Sequence, residues 1–137
     1  MNPVLALRLA SVLAMLHSVL HTIGSVISKP EAGTQEATMA IMRANQFQVM
    51  GLTRSYGDFY LGFALFVTVA LAIEGIVFWQ LGALAKSGVA GLRPILCSFA
   101  AAYIGCAAIA SLYFFAPPAV FEVLIAILLG LAIAKLK

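Results

Sequence analysis

The chain has 137 residues, of which 64% are hydrophobic and only 9% charged, with a net charge of +3 and a mean hydropathy of +1.08. Soluble domains are about half apolar and about a quarter charged, so a water-soluble core this small cannot hide so much apolar side chain, and lipid is the expected solvent. The basic residues are scattered, which argues against a nucleic-acid groove and reads instead as a topology signal.

Four apolar runs reach the length of about 18 residues that marks a spanning helix. The first is Val4–Ile27, closed by Ser28, Lys29 and Pro30. No small-residue cleavage pattern interrupts it, so it is expected to be retained. The link that follows, from Thr34 to Leu52, mixes Met39, Met42, Phe47 and Met50 with Glu36, Arg43, Asn45, Gln46 and Gln48. With Gly33-Thr34 as a start, this predicts a short cap helix on the bundle mouth or in the interface; a plain surface anchor is the alternative. The second span is Gly57–Ala83, the third Pro94–Phe114 and the fourth Pro118–Leu136. Pro117-Pro118 predicts a tight turn that makes the last two helices an antiparallel hairpin. The expected fold is therefore all-α: one integral membrane domain, a four-helix transmembrane bundle with a short cap, because only helices and closed barrels satisfy backbone groups in lipid. Cys97 and Cys106 lie on one helix about 13 Å apart, too far for a disulfide, and read as buried small hydrophobes.

Arg8, Lys86, Arg93, Lys135 and Lys137 fall on one side with both termini, and Lys29, Arg43 and Arg54 on the other. The excess predicts a multi-pass cell-membrane protein with both termini in the cytoplasm.

Counting 1.5 Å per residue from the cap side brings five polar residues into the outermost third of one leaflet, with His17 just beneath. His21 comes about 9 Å deep, His17 about 15 Å, Glu122 about 6 Å, and Asp58 and Tyr60 within about 5 Å; Tyr113 ends the third span nearby. His17 and His21 are four residues apart and share a helix face with Ala10, Ala14, Gly24 and Ser28, a small-residue stripe that should turn them inward. Ionisable groups inside a membrane segment are costly and are candidates for function. A histidine bonded to a backbone carbonyl is the simpler alternative, and Asp58 alone could be a helix N-terminal acid. Glu74 and Arg8 count to about 25 and 28 Å, which predicts a structural ion pair between them. Tyr103 lies deep and needs a partner, with a backbone carbonyl favoured.

Three functions fit this pattern. The first is an enzyme for a lipophilic small molecule, with Asp58 or Glu122 as acid or base and His17 and His21 relaying protons. Tyr56, Tyr60, Asn45, Arg54 and Tyr113 would orient the substrate, and no cofactor would be needed. Isomerisation, cyclisation and epoxide opening are the reactions such groups support. The second is a metal site on His17 and His21, whose spacing is competent but which lacks a third histidine or a thiolate cluster. The third is a non-catalytic subunit, small transporter or proton relay. Membrane lipid and the lipophilic molecule are the expected partners, nucleic acid is not, and the small-residue faces leave a homo-oligomer open.

The stretch MRANQFQVMGLTRSYGDFYLGF, Met42 to Phe63, resembles a family of small four-span bacterial membrane proteins. The likeness lies in Met42-Arg43, Phe47, Val49-Met50-Gly51, Arg54-Ser55-Tyr56, Asp58-Phe59-Tyr60 and Gly62-Phe63, with the His17/His21 stripe ahead of them. That family places an aromatic residue where this chain has Gly57, a departure that would widen a pocket. The resemblance implies the layout and carries no activity. A looser analogy of site, not of motif, is to membrane-integral sterol isomerases and to small cyclases and epoxide hydrolases of natural-product pathways.

Overall fold

A computed structural model describes residues 1–136; Lys137, counted above among the basic residues, lies outside the described residues. The chain is 80% helical. In order it runs α1 (Pro3–His21), a π-helical turn (Thr22–Ile27), α2 (Thr34–Ala44), β1 (Gln46–Val49), β2 (Leu52–Ser55), α3 (Tyr56–Lys86), α4 (Leu92–Tyr113) and α5 (Ala116–Lys135). Four stretches, Pro3–Ile27, Tyr56–Lys86, Leu92–Tyr113 and Ala116–Lys135, are long and apolar enough to cross a membrane. The protein is a helical membrane protein, with the expected spans shifted by a few residues at their ends.

The link corrects the expectation of a helix from Thr34 to Leu52. The helix ends at Ala44, and the rest is an antiparallel hairpin pairing Gln46 with Ser55 and Val49 with Leu52. Its turn is Met50-Gly51, with φ of 48° and 79°. Two consecutive residues at positive φ make the tight turn whose twist suits a two-residue hairpin, and glycine adopts that conformation without steric cost. Phe47 and Val49 are half-buried while Gln46 and Gln48 are exposed, the two-residue alternation of a strand.

The chain divides into two compact units, Met1–His17 with Leu71 onward, and Ser18–Ala70. The division cuts both α1 and α3. The first unit is a bundle of four helices: the start of α1, the end of α3, α4 and α5. Leu7, Phe78, Leu96, Ile125 and Leu129 fill its core with no exposed surface. Phe78 sits edge-on to Phe99 at 5.1 Å between ring centres and tilted against Tyr103 at 5.8 Å.

Ala10 and Ala14 of the small-residue stripe are fully buried on α1, as is Ala6, whereas Gly24 and Ser28 at the far end of the stripe are exposed. On another side of the helix, α1 approaches α3 closely at Gly75. At Gly75 a β-carbon would lie 2.7 Å from Met15 Sδ and 3.2 Å from the Ser11 carbonyl oxygen. The Ser11 hydroxyl uses this approach to donate to the Gly75 carbonyl at 2.6 Å. Cys97 and Cys106 are free, but exposed and not buried as expected. An apolar thiol on a lipid-facing helix surface is at no disadvantage there.

The second unit holds the rest of α1, the π turn, α2, the hairpin and the first half of α3. Phe47 of the hairpin leans on Tyr56 and Phe59 at 5.0 and 5.4 Å. Helix α2 meets the start of α3 at Gly57, where a β-carbon would come within 2.8 Å of Arg43 Cγ and 3.3 Å of Arg43 Cα. The space left by Gly57 is thus taken by Arg43.

Candidate functional site: buried acid–base groups

In the first unit, His17 of α1 and Glu122 of α5 come together. Both are buried, at 7% and 8% exposed, and His17 Nδ1 lies 3.5 Å from Glu122 Oε1. Phe121, the residue before Glu122, stacks flat on the imidazole at 4.8 Å. The stack and the carboxylate fix the ring from two sides. Two of the acid–base candidates read from the sequence are therefore brought together, and Phe121 is a neighbour that depth counting had no means to find.

In the same unit, the Tyr103 hydroxyl of α4 donates to Glu74 Oε2 of α3 at 2.5 Å. The expected backbone partner for Tyr103 is replaced by a carboxylate. The expected Arg8–Glu74 ion pair is not formed. Arg8 instead lays its guanidinium carbon 3.5 Å from the centre of the Trp79 ring, with Nη1 buried and unbonded. The reason is the length of α3. Its 31 residues span about 46 Å, well beyond a hydrocarbon core of about 30 Å. Counting depth from the first residue of α3 therefore overstates the depth of everything after it. Ser11 and Met15 pack at Gly75, so Glu74 is level with the turn before His17 and not with Arg8.

The same error separates His21 from Asp58 in the second unit. His21 Nδ1 shares a hydrogen bond with the Thr68 hydroxyl at 3.1 Å. Ser18 donates to the Thr68 carbonyl at 2.9 Å, and Thr22 bonds the Thr68 hydroxyl at 3.1 Å. His21 is thus level with Thr68, which stands ten residues, or about 15 Å, further along α3 than Asp58. The expected common level of His21 and Asp58 is not reached. Thr22 also bonds the Ser18 carbonyl within its own helix at 2.7 Å, where the backbone widens into the π turn. Ser18, Thr22 and Thr68 were not singled out by sequence; their spacing of hydroxyls on two apolar helices is the available signal.

Asp58 closes a reciprocal cap. Its Oδ2 accepts the Ser55 backbone N–H at 2.7 Å, and its own N–H donates to the Ser55 hydroxyl at 3.1 Å. The pattern Ser55-Tyr56-Gly57-Asp58 is a capping box with aspartate in the third position. This is the N-terminal acid that the sequence held as an alternative.

The substrate-orienting candidates are scattered. Tyr56 packs on Phe47. Asn45 donates to the Ile41 carbonyl at 2.8 Å, ending α2. Arg54 donates to the neighbouring Thr53 carbonyl at 2.8 Å. Tyr60 lines a groove in the second unit. Tyr113 is 77% exposed at the end of α4, away from a buried site. Among the described residues no group of three His, Cys, Asp or Glu side chains is placed to hold a metal ion.

No protein-family model, curated protein or solved structure matches the chain.

Proposed function

We propose that this protein is an integral-membrane acid–base catalyst for a lipophilic small molecule, with His17 and Glu122 as the proton-exchanging pair. Isomerisation, protonation-driven cyclisation and epoxide opening are the reactions within its reach. One observation carries the reading: an imidazole and a carboxylate from the first and last helices, each over nine-tenths buried, face each other at 3.5 Å. A pair of this kind can take a proton from one atom of a substrate and return it to another without a cofactor. Glu74 and Tyr103 form the supporting polar pair, and Asp58 keeps its capping part. Termini in the cytoplasm belong to the same reading, from the basic-residue bias.

The test uses the full chain in lipid nanodiscs made in D2O and supplied with unsaturated sterol-like, terpenoid and quinone-type molecules. Deuterium entering substrate carbon, measured by mass spectrometry, is the expected outcome. Its loss in Glu122→Gln and His17→Phe, with helical circular dichroism retained, assigns the pair. Deuterium incorporation unchanged by both substitutions removes the pair from catalysis.

A second reading, a proton relay within a larger membrane assembly, is favoured by Glu74. Its carboxylate is held inside the bundle by the Tyr103 hydroxyl, so the unit holds a second polar pair besides His17–Glu122. Proteoliposomes with an internal pH dye would then show proton entry that Glu74→Gln and Glu122→Gln each abolish.

A further inference from the structure

The second unit contains a groove of about 620 Å³ between the end of the first span, α2 and the start of α3. Lys29 and Arg43 line it, and both also line the adjoining hollow of about 600 Å³. Among the described residues neither cation forms an ion pair with a carboxylate, since the ion pair present is His17–Glu122. Two acids stand on the walls. Asp58 has one oxygen held by the Ser55 N–H, and Glu36 lies on the outer hollow. The groove is mixed in character: Met39, Met42 and Leu61 give it an apolar side, and Ser28 and Thr38 add hydroxyls beside the cations. Arg43 is fixed there by its seat on Gly57.

The groove also stands at a defined level. Lys29 follows the end of the first span at Ile27 by two residues. That is the level of lipid headgroups, where a cation meets phosphate and the methionines meet the upper acyl chain. We propose that this groove binds the phosphate of an amphiphile's headgroup, with Lys29 and Arg43 on the phosphate and Met39, Met42 and Leu61 along the first carbons of the chain. Charge-assisted hydrogen bonds to phosphate oxygens are about twice as strong as neutral ones. The adaptable thioethers of methionine suit a chain of variable shape. The site is independent of the acid–base pair, and its test does not require turnover.

The full chain is purified in a phosphate-free maltoside detergent and titrated with lysophosphatidylglycerol, monoacylglycerol of the same chain length, and inorganic phosphate. Native mass spectrometry counts the adducts. One lysophosphatidylglycerol per protein is expected, with monoacylglycerol at least about five-fold weaker. Lys29→Gln and Arg43→Gln should each weaken the lysolipid by about five-fold, while Lys86→Gln, outside the groove, leaves it unchanged. Because Arg43 also packs against α3, Lys29→Gln is the variant that keeps the test valid if Arg43→Gln unfolds. Equal binding of monoacylglycerol, displacement of the lysolipid by equimolar inorganic phosphate, or an equal loss in Lys86→Gln would each overturn the assignment.

Discussion

The two units satisfy their polar groups by opposite means. In the first, the polar side chains in the core find partners on another helix: Ser11 on Gly75, Tyr103 on Glu74, His17 on Glu122. In the second, many of the polar bonds are local: Asp58 with Ser55, Asn45 with Ile41, Thr38 with Thr34. Two histidines one helical turn apart illustrate the contrast. His17 meets a carboxylate 105 positions away in sequence (122 minus 17), and His21 meets a threonine hydroxyl. A polar group that relies on a distant helix is satisfied only when the bundle is assembled. A local cap or hairpin can form with its neighbours alone. The bundle should therefore fail as one unit, and the link piece by piece.

The strongest way to break the contrast is Phe78→Ala. Phe78 is fully buried and touches both Phe99 and Tyr103. Such a truncation costs about 3–5 kcal/mol in a soluble core, through lost transfer energy plus a cavity. Here the unfolded helices stay in lipid, so the transfer part largely vanishes and about 2–3 kcal/mol of packing remains. Thermal unfolding in nanodiscs should drop by several degrees, and the Tyr103–Glu74 bond should loosen with it. The matching substitution in the second unit, Met50→Ala at a 99% exposed hairpin tip, should leave unfolding unchanged.

A smaller effect is expected at Gly75→Val. The new β-carbon would stand 2.7 Å from Met15 Sδ and 3.2 Å from the Ser11 carbonyl. Methionine can swing away, but the Ser11 backbone cannot, so α1 and α3 must separate by a few tenths of an ångström. Overpacking of this kind costs about 1–3 kcal/mol. The Ser11 hydroxyl would also lose its acceptor geometry. A stability change near zero would mean that α1 is free to slide along α3.

The helices and their order were legible because apolar length is a direct property of the sequence. His17 and Glu122 were legible as inward-facing candidates, from a small-residue face and from depth, but their pairing was not, since the count set them about 9 Å apart in depth. The remaining pairings were not, for a reason that lies in one helix. Depth counting assumes that every span starts at the membrane surface, and the 31-residue α3 does not obey that assumption. Its extra length shifted Glu74 away from Tyr103 on paper and drew Asp58 toward His21. The hairpin was hidden by composition: Met50 and the glutamines read as amphipathic helix, and only the Met50-Gly51 turn and the alternation around it say strand. The cap at Asp58 was in plain view as Ser55-x-x-Asp58, but a carboxylate beside a membrane span invites a catalytic reading first.

That cap supplies the mildest and most diagnostic test. Ser55→Ala removes the hydroxyl that accepts the Asp58 N–H, at a cost of about 1 kcal/mol for a lost N-cap. The effect should stay local. In hydrogen–deuterium exchange, amides of the hairpin and of the first turn of α3 should exchange about five-fold faster, the equivalent of about 1 kcal/mol. Amides around Phe78 should keep their protection. Asp58→Ala removes the other half of the same reciprocal pair, since its Oδ2 holds the Ser55 N–H. The double substitution should therefore cost clearly less than the two single ones added together, as expected for groups sharing one interaction. If protection fell in the bundle as well, the link and the bundle would be one cooperative unit, and the contrast between distant and local satisfaction would carry no energetic meaning.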